Sequence, residues 1–147
     1  MLLNITQEVG MKIFSKLTRF SDWGLLAIRW GVGIVFIAHG MLKWSTWGMQ
    51  PSEQLPASML MALKFLSIAE PLGGIAMIVG FWTPLAAIGM SLLMLIVINM
   101  KINIMHLGFI AQQSTGWELD FTLFCASLCI LLVGPGKFSL EKFFSKG

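Results

Sequence analysis

Charged side chains are scarce in this sequence. Lys, Arg, Asp and Glu make up 12% of the 147 residues, hydrophobic residues make up 56%, and the mean hydropathy is +0.81. Because a soluble domain usually carries about 25% charged residues, this chain could not cover itself with polar surface, and a soluble protein is excluded. The formal net charge is only +3. It is concentrated near the two ends, which favours contact with a lipid bilayer over binding to nucleic acid.

Cysteine is also rare. The two cysteines, Cys125 and Cys129, match neither a disulfide framework nor a zinc-binding pattern. Their spacing stacks them on one face of a helix, where we interpret them as small core hydrophobes; a redox pair is the alternative. The sequence has no haem-ligand pair of clear spacing, no dinucleotide-binding motif and no iron–sulfur cysteines. The sequence therefore predicts no metal site, and if the protein is redox-active, the electron carrier is either a bound quinone or a partner.

Long apolar segments dominate the chain. They lie at about residues 22–43, 60–81, 84–105 and 117–134. A helix needs about 20 residues to cross the hydrocarbon core of a bilayer, so the first three are long enough and the fourth barely so. The predicted fold is all-α, a transmembrane four-helix bundle that forms a single membrane domain over residues 1–147.

A short interruption separates the second span from the third. Between Pro71 and Met100 the sequence has no charged residue and no histidine, and only the stretch GFWTP at residues 80–84 divides it. Thr83 is the predicted N-cap of the third helix, and Pro84 suits its first turn. The two spans are therefore expected to form a helical hairpin.

The segment before the first span is amphipathic. Its apolar residues between Val9 and Phe20 fall near one helical face, and its basic residues fall on another. This pattern predicts a short interfacial helix at the N-terminus. No Ala-x-Ala-like cleavage site follows it, so we expect the segment to be retained.

Lysine and arginine are placed asymmetrically around the spans. The two terminal segments are rich in them, whereas the long loops at 44–59 and 107–116 have none. By the positive-inside rule, both termini are expected in the cytoplasm and both long loops outside. Trp44 and Trp47 in the first long loop are predicted interface anchors.

Polar and small residues of the first span share one helical stripe. Its members are Arg29, Gly33, Phe36, Gly40 and Lys43, with His39 at the edge. A charge in mid-bilayer costs about 2.5–3.5 kcal/mol, so this face should point into the bundle. Glu70 in the second span lies at a depth within reach of Arg29, and we predict an ion pair between them. The pair either only locks two helices together or also binds a ligand or relays protons.

Small residues at helical spacing indicate where two backbones approach closely. Those predicted to serve helix packing are Gly33, Gly40, Gly73, Gly74 and Gly80. Pro71 in the second span removes one backbone donor, which leaves a carbonyl without its helical partner nearby.

Polar residues also gather where the third helix ends and the fourth begins. They are Asn103, His106 and Glu118, and we expect them to meet His39 and Lys43 near the outer leaflet. A His/His/Glu set can bind a metal, but the spacing here is long and unspecific. Proton handling by the two histidines beside a carboxylate is the alternative.

Two charged residues beside this cluster are predicted to face elsewhere. Lys101 lies on the opposite face of the third helix, where its long stem can snorkel outward. Asp120 is expected to face the loop, because it falls off the polar stripe of the fourth helix, which consists of Glu118, Thr122, Cys125 and Cys129.

Four motifs in order carry a family resemblance. They read RWGVGIVFIAHGMLK, EPLGGIAMIVGFWTP, HLGFIAQQSTGWE and GPGKFSLE. With this order and spacing, over about residues 23–141, the chain resembles the DoxX family of small bacterial and archaeal membrane proteins. The resemblance implies a four-helix transmembrane bundle in a bacterial cytoplasmic (inner) membrane. The family's name links it to membrane redox complexes that pass electrons to quinone, and some members are associated with oxidative-stress defence.

Three functions remain open. The first is a membrane subunit of a redox system that binds a quinone or similar small carbonyl compound, because donors from Arg29, His39 and Lys43 share a face; a redox partner protein would then be expected. The second is a small-molecule transporter or efflux component with Glu70 as the proton-coupled group, which would need a homo-oligomer to form a pore. The third is a scaffold for a soluble oxidoreductase. Whether the protein is itself an enzyme stays open.

Overall fold

The structure is a computed structural model that describes residues 20–111 and 115–144. In those ranges the chain is all-helical and contains no strand. The helices are α1 (Ser21–Leu42), α2 (Ala57–Val79), α3 (Thr83–Asn103), α4 (Glu118–Val133) and α5 (Leu140–Phe144). The predicted all-α fold and its three long apolar helices are confirmed. The predicted amphipathic helix at the N-terminus lies outside the described residues.

Three helical segments have the length and apolar character to cross a membrane. They are Ser21–Gly48, Ala57–Val79 and Thr83–Asn103; in the first, α1 continues from Lys43 as a 3₁₀ helix. α4 has 16 residues and is about 24 Å long at a rise of about 1.5 Å per residue. This is shorter than a hydrocarbon core of about 30 Å. Large apolar side chains cover the outside of the bundle, as expected of surfaces that contact lipid.

Proline and glycine set the bounds of α2 more sharply than the hydrophobic pattern does. The helix begins at Ala57, before the predicted start, because the preceding Pro56 directs the chain into the first turn. It ends at Val79 because Gly80 takes up the left-handed conformation, with φ at 75°. Glycine has no Cβ to oppose that conformation, so it terminates the helix two residues before the predicted end.

The turn between α2 and α3 differs from the predicted one. Thr83 is the first helical residue of α3, and Trp82, with φ at 50°, occupies the cap position. The carbonyl of Trp82 accepts the N–H of Ala86 at 3.1 Å, so the helix starts one residue earlier than expected. The predicted capping role of Thr83 is wrong, and its side chain is buried without a cap hydrogen bond.

Glycines bring α1 and α2 into the closest contact between any two helices described. Gly33 and Gly74 face each other so closely that a Cβ built on Gly33 would lie 2.6 Å from the carbonyl oxygen of Gly74. One to two turns away, Gly40 leaves room for the ring of Pro71. α3 and α4 form a second close pair, and α2 packs less tightly on α3. The bundle therefore consists of two tight helix pairs with a looser seam between α2 and α3.

Apolar side chains from all four long helices fill the centre of the bundle. Phe36, Met77, Met90 and Ile130 belong to this buried cluster. Each comes from a different helix, so the cluster joins the two helix pairs.

Gly33→Ala is expected to destabilise the protein, because the new methyl group would lie 2.6 Å from both the Gly74 carbonyl and the Ile78 side chain. Overpacking of this kind costs about 1–3 kcal/mol, and the melting temperature in detergent measures it. Gly31→Ala is the matched control, since nothing lies within 4 Å of its new Cβ. It should be neutral or slightly stabilising. Equal melting temperatures for the two variants would contradict the close helix contact.

Candidate functional site

The two ends of the bundle carry different polar groups. The short-turn end holds residues 80–82, which join α2 to α3, and residues 134–139 after α4. The long-loop end holds residues 49–56 and, between α3 and α4, residues 104–111 and 115–117. A buried guanidinium lies near the first end, and two ion pairs lie towards the second.

Main-chain carbonyls surround the guanidinium of Arg29, which is 0% exposed. Its Nε donates to the carbonyl of Met77 at 2.8 Å, and Nη2 donates to that of Ile78 at 2.9 Å. Its Nη1 donates to the carbonyls of Pro135 and Phe138 at 2.5 and 2.9 Å. Met77 and Ile78 lie in the last turn of α2, whose carbonyls have no helical donor. Arg29 therefore caps α2 and ties it to the segment after α4.

The predicted ion pair between Arg29 and Glu70 is wrong. Side chains of a helix lean towards its N-terminus, so the guanidinium of Arg29 reaches towards the short-turn end. Glu70 precedes Met77 by two helical turns, or about 10 Å along α2. The prediction compares only the depths of the two Cα atoms in the membrane. It does not include the direction of the side chains, which carries the guanidinium away from the carboxylate.

Glu70 pairs instead with Lys43, where α1 passes into the 3₁₀ helix. Lys43 Nζ lies 2.6 Å from Glu70 Oε2, and the two side chains are 22% and 5% exposed. The ammonium also donates to the carbonyl of His39 at 3.1 Å. Lys43 leans back along α1 just as Arg29 does, and this lean brings its ammonium to the level of Glu70. The pair therefore lies between α1 and α2, with the carboxylate more deeply buried than the ammonium.

Beside this ion pair, Pro71 leaves one main-chain carbonyl of α2 without its helical donor. Proline has no N–H, so the carbonyl of Ser67 loses its helical donor, and the Trp44 indole donates to it at 2.9 Å. The Trp47 indole donates to the Ser67 hydroxyl, also at 2.9 Å. Lys43, Trp44 and Trp47 thus fasten the 3₁₀ helix to α2. This attachment fixes the position of the ammonium.

A cleft of about 440 Å³ lies along the seam between α2 and α3, within the range of roughly 300–1,000 Å³ typical of ligand pockets. Phe36 of α1 contributes to its wall, and Glu70 is the only ionisable side chain among the described residues that line it. Phe65 and Leu92 at its rim are exposed, so the cleft opens sideways on the apolar exterior. Gly89 also lines it, and a Cβ there would meet nothing within 4 Å.

Glu70 offers an acceptor to this cleft. Its Oε2 accepts from Lys43, while its Oε1 has no hydrogen-bond donor among the described residues. Two of the three donors that motivated the quinone hypothesis are engaged elsewhere, since Arg29 bonds to carbonyls and Lys43 bonds to Glu70. Neither of them, nor His39, lines the cleft.

The other predicted polar residues do not gather around Lys43. Asn103 and His106 are exposed, whereas His39 and Glu118 are half-buried. The predicted meeting of Lys43 with these residues near the outer leaflet is wrong, because Lys43 bonds across the α1–α2 interface. α3 ends at Asn103, and His106, with φ at 51°, no longer follows the helical stripe.

A second ion pair joins α3 to α4 at the long-loop end. Lys101 Nζ lies 2.6 Å from Asp120 Oδ2, and the side chains are 15% and 6% exposed. Lys101 also donates to the carbonyl of Gly116 at 2.8 Å. The predictions that Lys101 snorkels outward and that Asp120 faces the loop are wrong. Opposite charges in the last turn of one helix and the first turn of the next were the signal available in the sequence.

The predicted packing glycines lie at three different contacts. Gly33, Gly40 and Gly74 lie between α1 and α2. Gly73 instead faces α3, and a Cβ there would lie 2.8 Å from Met90 Cε. Gly80 lies against the Arg29 guanidinium and Ser139, so the left-handed turn also leaves space for the guanidinium.

The cysteines and the carboxylates form no centre of their own in the described ranges. Cys125 is exposed and Cys129 is half-buried, and both are free thiols. The interpretation of Cys125 as a core residue is wrong, because its position on α4 faces outward. No group of three or more His, Cys, Asp or Glu side chains suited to a metal ion occurs among residues 20–111 and 115–144.

Comparison with models of protein families identifies the family of the chain. The sequence model of the DoxX family matches residues 24–107, which include nearly all of α1 and the whole of α2 and α3. Arg29, Lys43, Glu70 and every side chain that lines the cleft fall within the matched range. No curated protein matches the chain, and no solved structure matches it.

Proposed function

The chain belongs to the DoxX family of membrane proteins, and on that basis we propose that it is a membrane subunit of a redox system. In this proposal a quinone or similar small molecule binds in the cleft between α2 and α3. The family's link to complexes that pass electrons to quinone supports the redox assignment. A redox partner protein supplies the electrons, since the sequence has no dinucleotide-binding motif and no iron–sulfur cysteines.

The cleft is the observation that carries the proposal. Its walls are almost entirely apolar, it opens on the lipid-facing side, and one buried carboxylate lies at its wall. A pocket of this kind suits a molecule that dissolves in the bilayer and carries one polar end. The ring and tail of a quinone fit the apolar walls, and the polar end of the molecule lies beside Glu70, to which the reduced, hydroxyl-bearing form can donate a hydrogen bond.

The proposal includes the topology expected from the sequence. All four long helices cross a bacterial inner membrane, with both termini in the cytoplasm. The 16-residue α4 spans by local thinning of the bilayer or by its flanking residues, each at modest cost. The Lys43–Glu70 pair then lies in the outer half of the membrane, and Arg29 lies in the inner half.

Gly89→Leu is expected to weaken binding of a short-tailed quinone by at least about tenfold, or about 1.4 kcal/mol. The leucine side chain would extend into the cleft, and it has space to do so, because nothing lies within 4 Å of a Cβ at this position. Titration of the quinone against protein in nanodiscs, followed by quenching of tryptophan emission, measures the affinity.

Gly31→Leu is the matched control for this experiment. A Cβ at Gly31 also meets nothing within 4 Å, but Gly31 does not line the cleft. This variant should bind the quinone as the unmodified protein does. Equal quinone affinity in the two variants would mean that the quinone does not bind in the cleft.

A transporter is the second candidate, and Glu70 is the observation that favours it. A buried carboxylate beside Pro71, on the wall of a laterally open cleft, is the type of group that couples transport to protons. Flux of a small apolar compound in proteoliposomes separates the two functions. Flux that needs a proton gradient and stops in Glu70→Gln would favour transport, whereas quinone binding without flux would favour the redox subunit.

A further inference from the structure

We infer that the cleft selects an uncharged amphiphile whose head donates a hydrogen bond to Oε1 of Glu70. Phenols and alcohols have such a head, and among quinone-type molecules the reduced, hydroxyl-bearing form has it while the oxidised form does not. This inference rests on the proposed function, because it names the ligand class of the same cleft.

Glu70 has one carboxylate oxygen that can accept a hydrogen bond from a ligand. Its side chain is 5% exposed, and only Oε2 has a donor among the described residues. An ionised carboxylate accepts hydrogen bonds at both oxygens. Glu70 lies on the wall of an otherwise apolar cleft, where a hydrogen bond to a charged group is stronger than one between neutral groups, so a ligand that supplies a donor to Oε1 is favoured over a ligand that cannot.

The described side chains that line the cleft offer a ligand no hydrogen-bond donor. The described residues that line the cleft are apolar except for Glu70. The Lys43 ammonium is not among them, because it bonds to Glu70 Oε2 and to the carbonyl of His39. The cleft therefore presents an acceptor, and a carbonyl or ether oxygen of a ligand would meet no side-chain donor there.

The charges of Lys43 and Glu70 balance each other, which favours an uncharged ligand. Lys43 already compensates the charge of Glu70 at a distance of 2.6 Å, so the pair is neutral as a whole. An anionic or cationic head beside it would add an unpaired charge in apolar surroundings, which is strongly unfavourable. Ionised carboxylate heads and alkylammonium ions are therefore disfavoured, although an ammonium head can donate hydrogen bonds.

The test compares two probes that differ only in the donor: 4-decylphenol and its methyl ether. Both are uncharged, share one tail and undergo no redox step. Equilibrium dialysis against protein in nanodiscs, with protein-free nanodiscs subtracted, gives the two affinities. A hydrogen bond to a charged group predicts that the phenol binds at least about tenfold more tightly. Equal affinities would overturn the inference, and this comparison needs no variant.

Variants of Glu70 and Gly89 test whether the preference for the phenol arises at Glu70 in the cleft. Glu70→Gln should bind both probes within about threefold of each other, because the amide both donates and accepts. Gly89→Leu should weaken both probes, whereas Gly31→Leu should weaken neither. A phenol preference that survives in Glu70→Gln would overturn the assignment to Glu70.

The outcomes separate this inference from the proposed function. If decylphenol and a decyl-tailed quinol bind with the expected preference but the decyl-tailed quinone does not bind at all, the ligand class stands and the redox function, which needs both forms to bind, fails. If the quinone and quinol bind equally well and the phenol shows no advantage, the ligand class fails while a quinone site survives.

Discussion

Arg29→Met is expected to leave little folded protein in detergent. Methionine fills much of the same space but donates nothing, so carbonyls in α2 and in the segment after α4 lose their donor together. A hydrogen bond to a charged group contributes about 1.5–3 kcal/mol, so the loss of several should exceed about 4 kcal/mol. That is a large share of the total stability of a typical domain, about 5–15 kcal/mol. Size-exclusion chromatography after heating measures the folded fraction.

Two further variants test whether the geometry of the guanidinium is responsible. Arg29→Lys keeps the charge, but its donors radiate from one point and cannot reach both segments, so its stability should be intermediate. Lys137→Met removes a basic residue at the same end of the bundle. Lys137 is 74% exposed in its pair with Asp22, so its loss should change the melting temperature little. An Arg29→Met protein as stable as Lys137→Met would refute the capping role of Arg29.

Lys43→Met is expected to have the second largest effect, because it leaves the carboxylate of Glu70 stranded at 5% exposure. Removing one partner of a buried pair costs about 3–5 kcal/mol. Glu70→Gln should cost less, since Lys43 is 22% exposed and its long stem can carry the ammonium towards the surface. Melting temperatures of both variants in the same detergent test this asymmetry.

The double variant Lys43→Met/Glu70→Gln completes a cycle around the pair. It removes both charges, so it should recover part of the stability that Lys43→Met loses. Simple addition of the two single losses would mean that the two side chains do not stabilise each other. The 2.6 Å contact between the two side chains would then contribute nothing to the stability of the protein.

The helices could be predicted from the sequence because length and apolar content decide whether a segment can span a bilayer. Their predicted ends lie within three residues of those observed. The remaining differences come from single residues. Gly80 stops α2 through its left-handed conformation, and the carbonyl of Trp82 starts α3 one residue early.

The partners of the charged side chains could not be predicted from depth alone. Arg29 and Lys43 both lean towards the start of α1. As a result, Lys43 reaches the carboxylate of Glu70, and Arg29 reaches the end of α2. The missing N–H of Pro71 was a visible signal of an open carbonyl, but that Trp44 fills it depends on the 3₁₀ helix. The cleft also depends on the looser packing between the two helix pairs, at the seam of α2 and α3, which the periodicity of the sequence does not encode.

The bonds from Arg29 to Pro135 and Phe138 make an early part of the chain depend on its last part. During synthesis, α1 and α2 leave the ribosome before these two residues exist. Until then the guanidinium has only the acceptors at the end of α2. The α1–α2 pair can therefore make only two of the four hydrogen bonds of the guanidinium until the residues after α4 have been synthesised.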